Sequence, residues 1–248
     1  MGTQATKKQV LLMNDQPNVL APAERRQGNP IWVDLTPLNR AALSTIQERY
    51  GLPSEAMTYF LLHYQSTKLI HAGPALFLVT FLAVPSVRHL FTTRELKICV
   101  SSTVVATKCG AAGRTQPDLA QTLSLPNLSG ERVGQFLCGL LEGTVRSYEA
   151  IVKAVEERHL DDVPREERQR WPKRVEKLIR FLREEQTFLG NVAREGGKLL
   201  AAEEGRQIRS VEERVGVLAR VAWGTLRGEK DLQASSGSVP AAQEGGNA

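Results

Sequence analysis

The hundred residues from Gly130 to Glu229 repeat their apolar side chains at helical spacing and carry almost no strand signal. Val133, Leu137, Leu140, Thr144, Tyr148, Val152, Val155 and His159 recur every three or four positions. That period lines them up on one helix face, diluted only by Thr144 and His159. Trp171, Val175, Leu178, Leu182, Leu189 and Val192 repeat the pattern. Glu185 breaks this second seam, with Phe181 and Phe188 beside it. A third, weaker run holds Val211, Val215, Leu218 and Ala222. Three helices with apolar seams must bury them against one another or against a sheet.

The sheet is expected upstream. Ile31 to Leu35 alternates and is rich in β-formers, so it reads as a strand. Thr36 then caps a helix with Pro37 at its first position, lined by Leu38, Ala42, Ile46 and Tyr50 and closed by Gly51. Ser54 to Tyr64 reads as a second helix. Lys68–His71, Leu76–Val84, Arg94–Ser101 and Thr103–Lys108 read as strands, and Gln9–Met13 as a short one. Gly110 to Ser129 is rich in Gly, Ser, Thr and Pro and reads as a linker. Pro164 and Pro172 bracket the turn between the first two long helices, and Gly196, Gly197 and Gly205 interrupt the region after the second. The fold class expected is α/β (α+β): an α/β sandwich followed by a long antiparallel helical region. The division is an N-terminal extension over 1–29, the α/β domain over 30–110, a linker over 111–129, a stalk-like long-helix region over 130–230 and a disordered tail over 231–248.

Composition narrows the function classes. Apolar residues at 42% allow a real core within 248 residues. The net charge of +5 is spread thinly, with no block dense enough for a nucleic-acid-binding arm. Cys99, Cys109 and Cys138 form no CxxC pair and leave one over, which fits a reducing cytosol. Lys7 and Lys8 precede too short an apolar run for a secretory signal. The longest strongly apolar window, Pro74 to Pro85, falls short of the roughly 20 residues that a spanning helix needs.

The chemistry is sparse. No GxGxxG, Walker, GxSxG or HExxH pattern occurs. His63, His71, His89 and His159 stand apart from one another and from Cys at zinc-binding spacing, so they read as surface or satisfied histidines. Asp161 and Asp162 sit beside Pro164 and read as a helix-end turn. Five doublets, Glu156-Glu157, Glu166-Glu167, Glu184-Glu185, Glu203-Glu204 and Glu212-Glu213, read as solvated helix faces. Their residual capacity is weak association with a hard cation such as magnesium. Cys99 and Cys138 read as small core residues. The sequence therefore predicts no catalytic, cofactor-binding or metal-ligating residue and no enzymatic activity.

The order of pieces resembles the cytoplasmic region of the CorA-type magnesium transporters, a family that includes zinc-handling members. Ile31-Trp32-Val33-Asp34-Leu35-Thr36 resembles the strand that opens their α/β domain. Leu43 to Leu52, with Glu48-Arg49-Tyr50-Gly51-Leu52, is similar to the family's helix ending in a Phe/Tyr-Gly-Leu step. Leu76-Phe77-Leu78-Val79 resembles a core strand. Glu95-Leu96-Lys97-Ile98 with Val104-Val105-Ala106-Thr107 resembles the final strand pair, and Phe136 to Val155 a long helix. The resemblance spans about residues 30–228 and departs from the family in one respect above all: no Gly-Met-Asn pore signature and no membrane span occur.

The resemblance implies a soluble cytoplasmic module in divalent-cation transport or its regulation, not itself a channel. Its partners would be further copies of the chain or a full-length transporter, with no nucleic acid and the membrane reached only through a partner. The family's regulatory metal site uses an acid in the loop matching Ala83 to Thr93, which here carries Arg88 and His89 and no acid. Glu212 and Glu213 on the stalk then lack a partner, so no tight magnesium site is expected. Without spans, a monomer or a concentration-dependent oligomer is expected. The competing reading is a general interaction protein whose helical half binds another protein, or a truncated, non-conducting remnant.

Overall fold

The computed structural model describes residues 31–35, 44, 47–86, 89–110, 132–158 and 168–236. Several expectations fall outside those residues: the strand at Gln9–Met13, the helix start at Thr36 and Pro37, Arg88, the linker over 111–129, His159, Asp161 and Asp162, Glu166 and Glu167, and the tail beyond 236.

Five strands form one sheet: β1 (Ile31–Asp34), β2 (Lys68–Ala72), β3 (Ala75–Pro85), β4 (Phe91–Val100) and β5 (Val104–Cys109). Their order across the sheet is β1-β5-β4-β3-β2. β1 lies parallel to β5, and every other pair is antiparallel. The helices are α1 (Ser54–Leu61), α2 (Val133–Glu156), α3 (Trp171–Glu195) and α4 (Ala202–Ser236), with a short 3-10 turn at Gly196–Lys198. An α/β sandwich followed by long helices is therefore what forms.

Local chemistry accounts for the turns. Gln47–Tyr50 is helical and stops at Gly51, whose φ of +62° suits a residue without a β-carbon. The Leu52 N–H then reaches back to the Gln47 carbonyl at 3.2 Å, the long bond of a Schellman cap. Gly73, φ +57°, takes the first position of the two-residue loop between β2 and β3, where a tight hairpin calls for positive φ.

Alternation along the strands divides the core in two. Leu76, Leu78 and Leu82 of β3, with Leu96, Ile98 and Val100 of β4, face α2, α3 and α4. Phe77, Val79 and Phe81, with Cys99, face Met57 and Phe60 of α1. A strand covered on both faces reads as one apolar run, and so β3 does.

Two elements differ from the sequence expectation. β4 begins at Phe91, which pairs with Pro85, so the hairpin loop is shorter than Ala83 to Thr93. The third helical run is the longest helix, 35 residues, or about 52 Å at the α-helical rise. It contains Gly205 and continues through residue 230 to Ser236. The buried stripe of this helix outweighs the roughly 1 kcal/mol that a glycine costs a helix interior. At Gly216 a β-carbon would come within 2.7 Å of the Gln186 amide, so close approach to α3 is gained there, whereas at Gly205 it would make only ordinary contact, 3.8 Å from the Ala193 carbonyl.

Candidate functional site

β3 outruns its neighbour. β2 pairs with it only from Ala75 to Val79, whereas β4 accompanies it to Pro85. Beyond Val79 the far edge of β3 meets no strand among the described residues. Buried backbone groups need partners, and here helix side chains supply them. Tyr148 Oη of α2 donates to the Phe81 carbonyl at 2.5 Å. Ser147 Oγ accepts the Ala83 N–H at 3.1 Å while donating to the Thr144 carbonyl at 2.6 Å. From α3, Glu185 accepts the Thr80 hydroxyl at 2.9 Å and is also hydrogen-bonded to the Phe81 backbone and to Tyr148.

Glu185 is 1% exposed and sits in the seam that the sequence assigns to apolar residues. Burial pushes its carboxyl from the ordinary 4.5 up to about 8. Its hydrogen bonds to Thr80, Phe81 and Tyr148 work against that rise, and the nearby Glu184 charge adds to it. Tyr148 is fully buried, and its phenol is likewise raised, chiefly by desolvation. The doublet Glu184-Glu185 is thus not a solvated face: Glu184 is exposed and Glu185 is core. Adjacent residues on a helix point about 100° apart, so a doublet at the edge of a seam straddles it.

The same correction applies to Glu203-Glu204. Glu204 is 4% exposed and accepts the Ala201 N–H at 2.5 Å, satisfying a donor at the start of α4. Arg132 lies 3.5 Å from its other oxygen. Gly134 makes room for this carboxylate, since a β-carbon there would fall 2.2 Å from Glu204 Oε2.

On the opposite face of the sheet, Lys97 is 1% exposed. Its ammonium donates to the Phe60 carbonyl at 3.1 Å and to the Leu62 carbonyl, at the C-terminal end of α1. Lys108 donates to the same Phe60 carbonyl at 2.9 Å. Glu95 lies 3.4 Å from Lys97 and accepts the Tyr64 N–H at 2.8 Å. Desolvation lowers the pKa of both lysines. This cluster ties α1 to β4 and β5.

An open groove of about 770 Å³ runs between the start of β2, the outer stripe of α3 and Trp223 of α4. Lys68, Arg180 and Arg183 line it together with Glu176, Glu184 and Glu195. Trp223 is 46% exposed, with the Arg183 guanidinium 5.9 Å from its ring.

The residues weighed in the sequence are dispersed. His63 lies 3.7 Å from Glu95, His71 lies 3.3 Å from Glu195, and His89 is in the β3–β4 loop. Among the described residues, no three His, Cys, Asp or Glu side chains come together as a metal site. Glu212 lies against Gly190 of α3, and Glu213 is exposed. Cys99, Cys109 and Cys138 are buried and form no disulfide with one another, and burial pushes Cys99 and Cys138 up to about 12. Thiols raised in this way, Cys99 and Cys138, stay protonated and unreactive. Glu185, Glu204 and Lys97 are the functional groups that the sequence did not single out as buried, whereas Tyr148 was read into the apolar seam of α2. For Glu185 a signal existed, a charge at a seam position between Leu182 and Leu189.

No protein-family model matches the chain, and no curated protein matches it in sequence. Solved structures do share its architecture. The CorA magnesium transporter from Methanocaldococcus jannaschii has a TM-score of 0.65 at 17% identity, over 85% of this chain and 71% of the transporter chain. The full-length CmaX protein has a TM-score of 0.68 at 13% identity, over 89% of this chain and 71% of its own. The ZntB cytoplasmic domain from Vibrio parahaemolyticus RIMD 2210633 has a TM-score of 0.62 at 13% identity, over 86% of this chain and 91% of that domain. The chain has a CorA-type fold, of the kind seen in the ZntB cytoplasmic domain.

Proposed function

We propose that this chain is a CorA-like cytoplasmic module that acts in magnesium or other divalent-cation transport, or in its regulation, without itself forming a conduction path. The observation that supports this reading best is the fold: one sheet between a short helix and a bundle ending in a long helix, matched nearly end to end by the ZntB cytoplasmic domain. No described helix is long and apolar enough to cross a membrane. On this reading the protein is not an enzyme and carries no resident cofactor. Magnesium associates only weakly, with exposed carboxylates. The partner is a full-length CorA-type transporter or further copies of the chain, and the membrane is reached only through that partner.

The test is affinity purification of the tagged full chain from solubilised membranes of its native host, paired with magnesium and cobalt uptake in cells with and without it. Co-purification of a CorA-type transporter, with altered uptake on deletion, is the expected result. Unchanged uptake and no transporter in the eluate would overturn the proposal.

The second reading, a protein-interaction module acting through its helical half, is favoured by the groove beside Trp223. If it is correct, Trp223→Ala abolishes capture of a partner that is not a transporter.

A further inference from the structure

Among the described residues, two stretches of backbone on the β2 side of the sheet lack a neighbouring strand, and helix side chains close only one of them. The two-residue loop of Gly73 and Pro74 makes Ala72 and Ala75 a hydrogen-bonded pair, so Ile70 with Phe77 and Lys68 with Val79 are bonded pairs too. Ala75, Phe77 and Val79 thus turn their N–H and C=O groups toward β2. Beyond them the same alternation brings out Phe81 and Ala83, which Tyr148 and Ser147 satisfy. On β2 it turns Leu69 and His71 outward, away from β3. Among the described residues, no hydrogen bond reaches the outward backbone groups of these two.

The groove beside Trp223 lies along this second edge. His71 meets Glu195 at 3.3 Å, and Thr80, next to the register partner of Lys68, meets Glu185 at 2.9 Å. α3 therefore runs in the same sense as β2. Ser66, Thr67, Lys68 and Leu69 form one wall of the groove, and α3 from Glu176 to Glu195 forms the other. That stretch of helix is about 28 Å long, the length of about eight residues of extended chain. An exposed sheet edge is where an extended peptide adds a strand, with main-chain bonds giving affinity and alternate side chains giving specificity.

Charge selects the peptide. Arg180 and Arg183 line the groove, and Arg220 and Arg227 stand one turn to either side of Trp223 on α4. Among the described residues, none of these four guanidiniums is paired with a carboxylate, and that of Arg183 lies over the Trp223 ring. Of the acids that line the groove, Glu195 already lies 3.3 Å from His71 and 3.6 Å from Arg194. With Glu176 and Glu184 included, the charge around Trp223 is still positive in surplus. A second copy of the chain, docking by its own β2, would bring the same surplus with it.

We propose that β2 and α3 form a docking site for an extended, acidic segment of a partner protein. The segment pairs with the outward groups of Leu69 and His71, sets carboxylates against Arg180 and Arg183, and lays an apolar side chain on Trp223. This names the partner chemistry of the interaction reading, on which it rests, and it needs no transporter.

The test uses the full chain and synthetic peptides of about ten residues. The first alternates Glu and Val, the second has Lys in place of Glu, and the third is the first with alternate backbone amides methylated. Calorimetry measures binding, and hydrogen exchange follows the amides of Leu69 and His71. Only the first peptide should bind, slowing both amides by about tenfold. Arg183→Glu, on the exposed side of α3, should weaken binding by about tenfold. Binding of the lysine peptide, equal binding of the methylated peptide, or no binding of the acidic one would overturn the proposal. So would a dimer in which both amides are protected without peptide. If a partner that is not a transporter is captured through Trp223 while both amides stay unprotected, the interaction reading stands and this mode of docking falls.

Discussion

Gly134 has no side chain because the Glu204 carboxylate occupies the space that a β-carbon would take. Gly134→Ala should therefore cost about 1–3 kcal/mol of stability, since Glu204 must give up its place at the start of α4. Urea unfolding, with helix content followed by circular dichroism, measures it. Lys97→Met removes the donor to two carbonyls at the end of α1 and leaves Glu95 without its buried cation. A loss of about 2–4 kcal/mol is expected from the same measurement. Glu185 sets a pH dependence of definite sign. Its pKa is raised on folding from 4.5 to about 8, so the folded chain holds this proton more tightly than the unfolded one. Its contribution to stability is complete below 4.5 and is lost as pH rises through that window to about 8. The urea midpoint should fall between neutral and mildly alkaline pH in the wild type, and Glu185→Gln should flatten this change.

At the scale of the element, α4 separates side chains that hold the bundle from those that do not. Ile208, Val211, Val215, Ala222 and Leu226 are buried, while Arg206, Arg209, Glu213, Arg220 and Arg227 are exposed. Ile208→Ala should cost about 2–5 kcal/mol, as truncation in a packed core does. Arg209→Ala should change stability by less than about 0.5 kcal/mol. Comparable losses for the two in chemical unfolding would mean that α4 does not dock on α2 and α3 through this stripe. Val211, Val215 and Ala222 of the stripe were legible from spacing alone, as were the seams of α2 and α3, whereas Leu218, read into the same run, is only partly buried and Ala219 beside it is buried. The length of α4 was not, because Gly205, Gly216 and Gly224 each weaken the helix signal. Glycine lowers local propensity wherever it stands, and only the neighbouring helix shows when its small size is useful.

For the whole molecule, the fold leaves the assembly state to solution measurement. The seam of α4 is turned inward against α2 and α3, so its apolar residues are covered within one chain. What remains outside is mixed charge with Val217 and Trp223, each 46% exposed. Sedimentation over a hundredfold range of concentration is expected to give a monomer, or a mass that rises with concentration. A constant larger mass at the lowest concentration would contradict this. Calorimetric titration with magnesium is expected to show nothing tighter than millimolar, since a hard cation needs several convergent oxygens.

Periodicity by itself determined which segments are helix and which are strand, since a period of two or of three to four follows from backbone geometry alone. It also determined which faces are apolar, and hence that helices and sheet had to pack. Strand order, the parallel placement of β1 beside β5 and the excess length of β3 over β2 were decided only by the tertiary structure, because they depend on pairing between distant segments. The polar seam follows from that excess. Glu185 and Tyr148 are 37 residues apart in sequence, and one looks like a break in its seam while the other looks like an ordinary seam residue. Their role exists only where the open edge of β3 brings them together, because a hydrogen bond joins atoms in space and leaves no period in a chain.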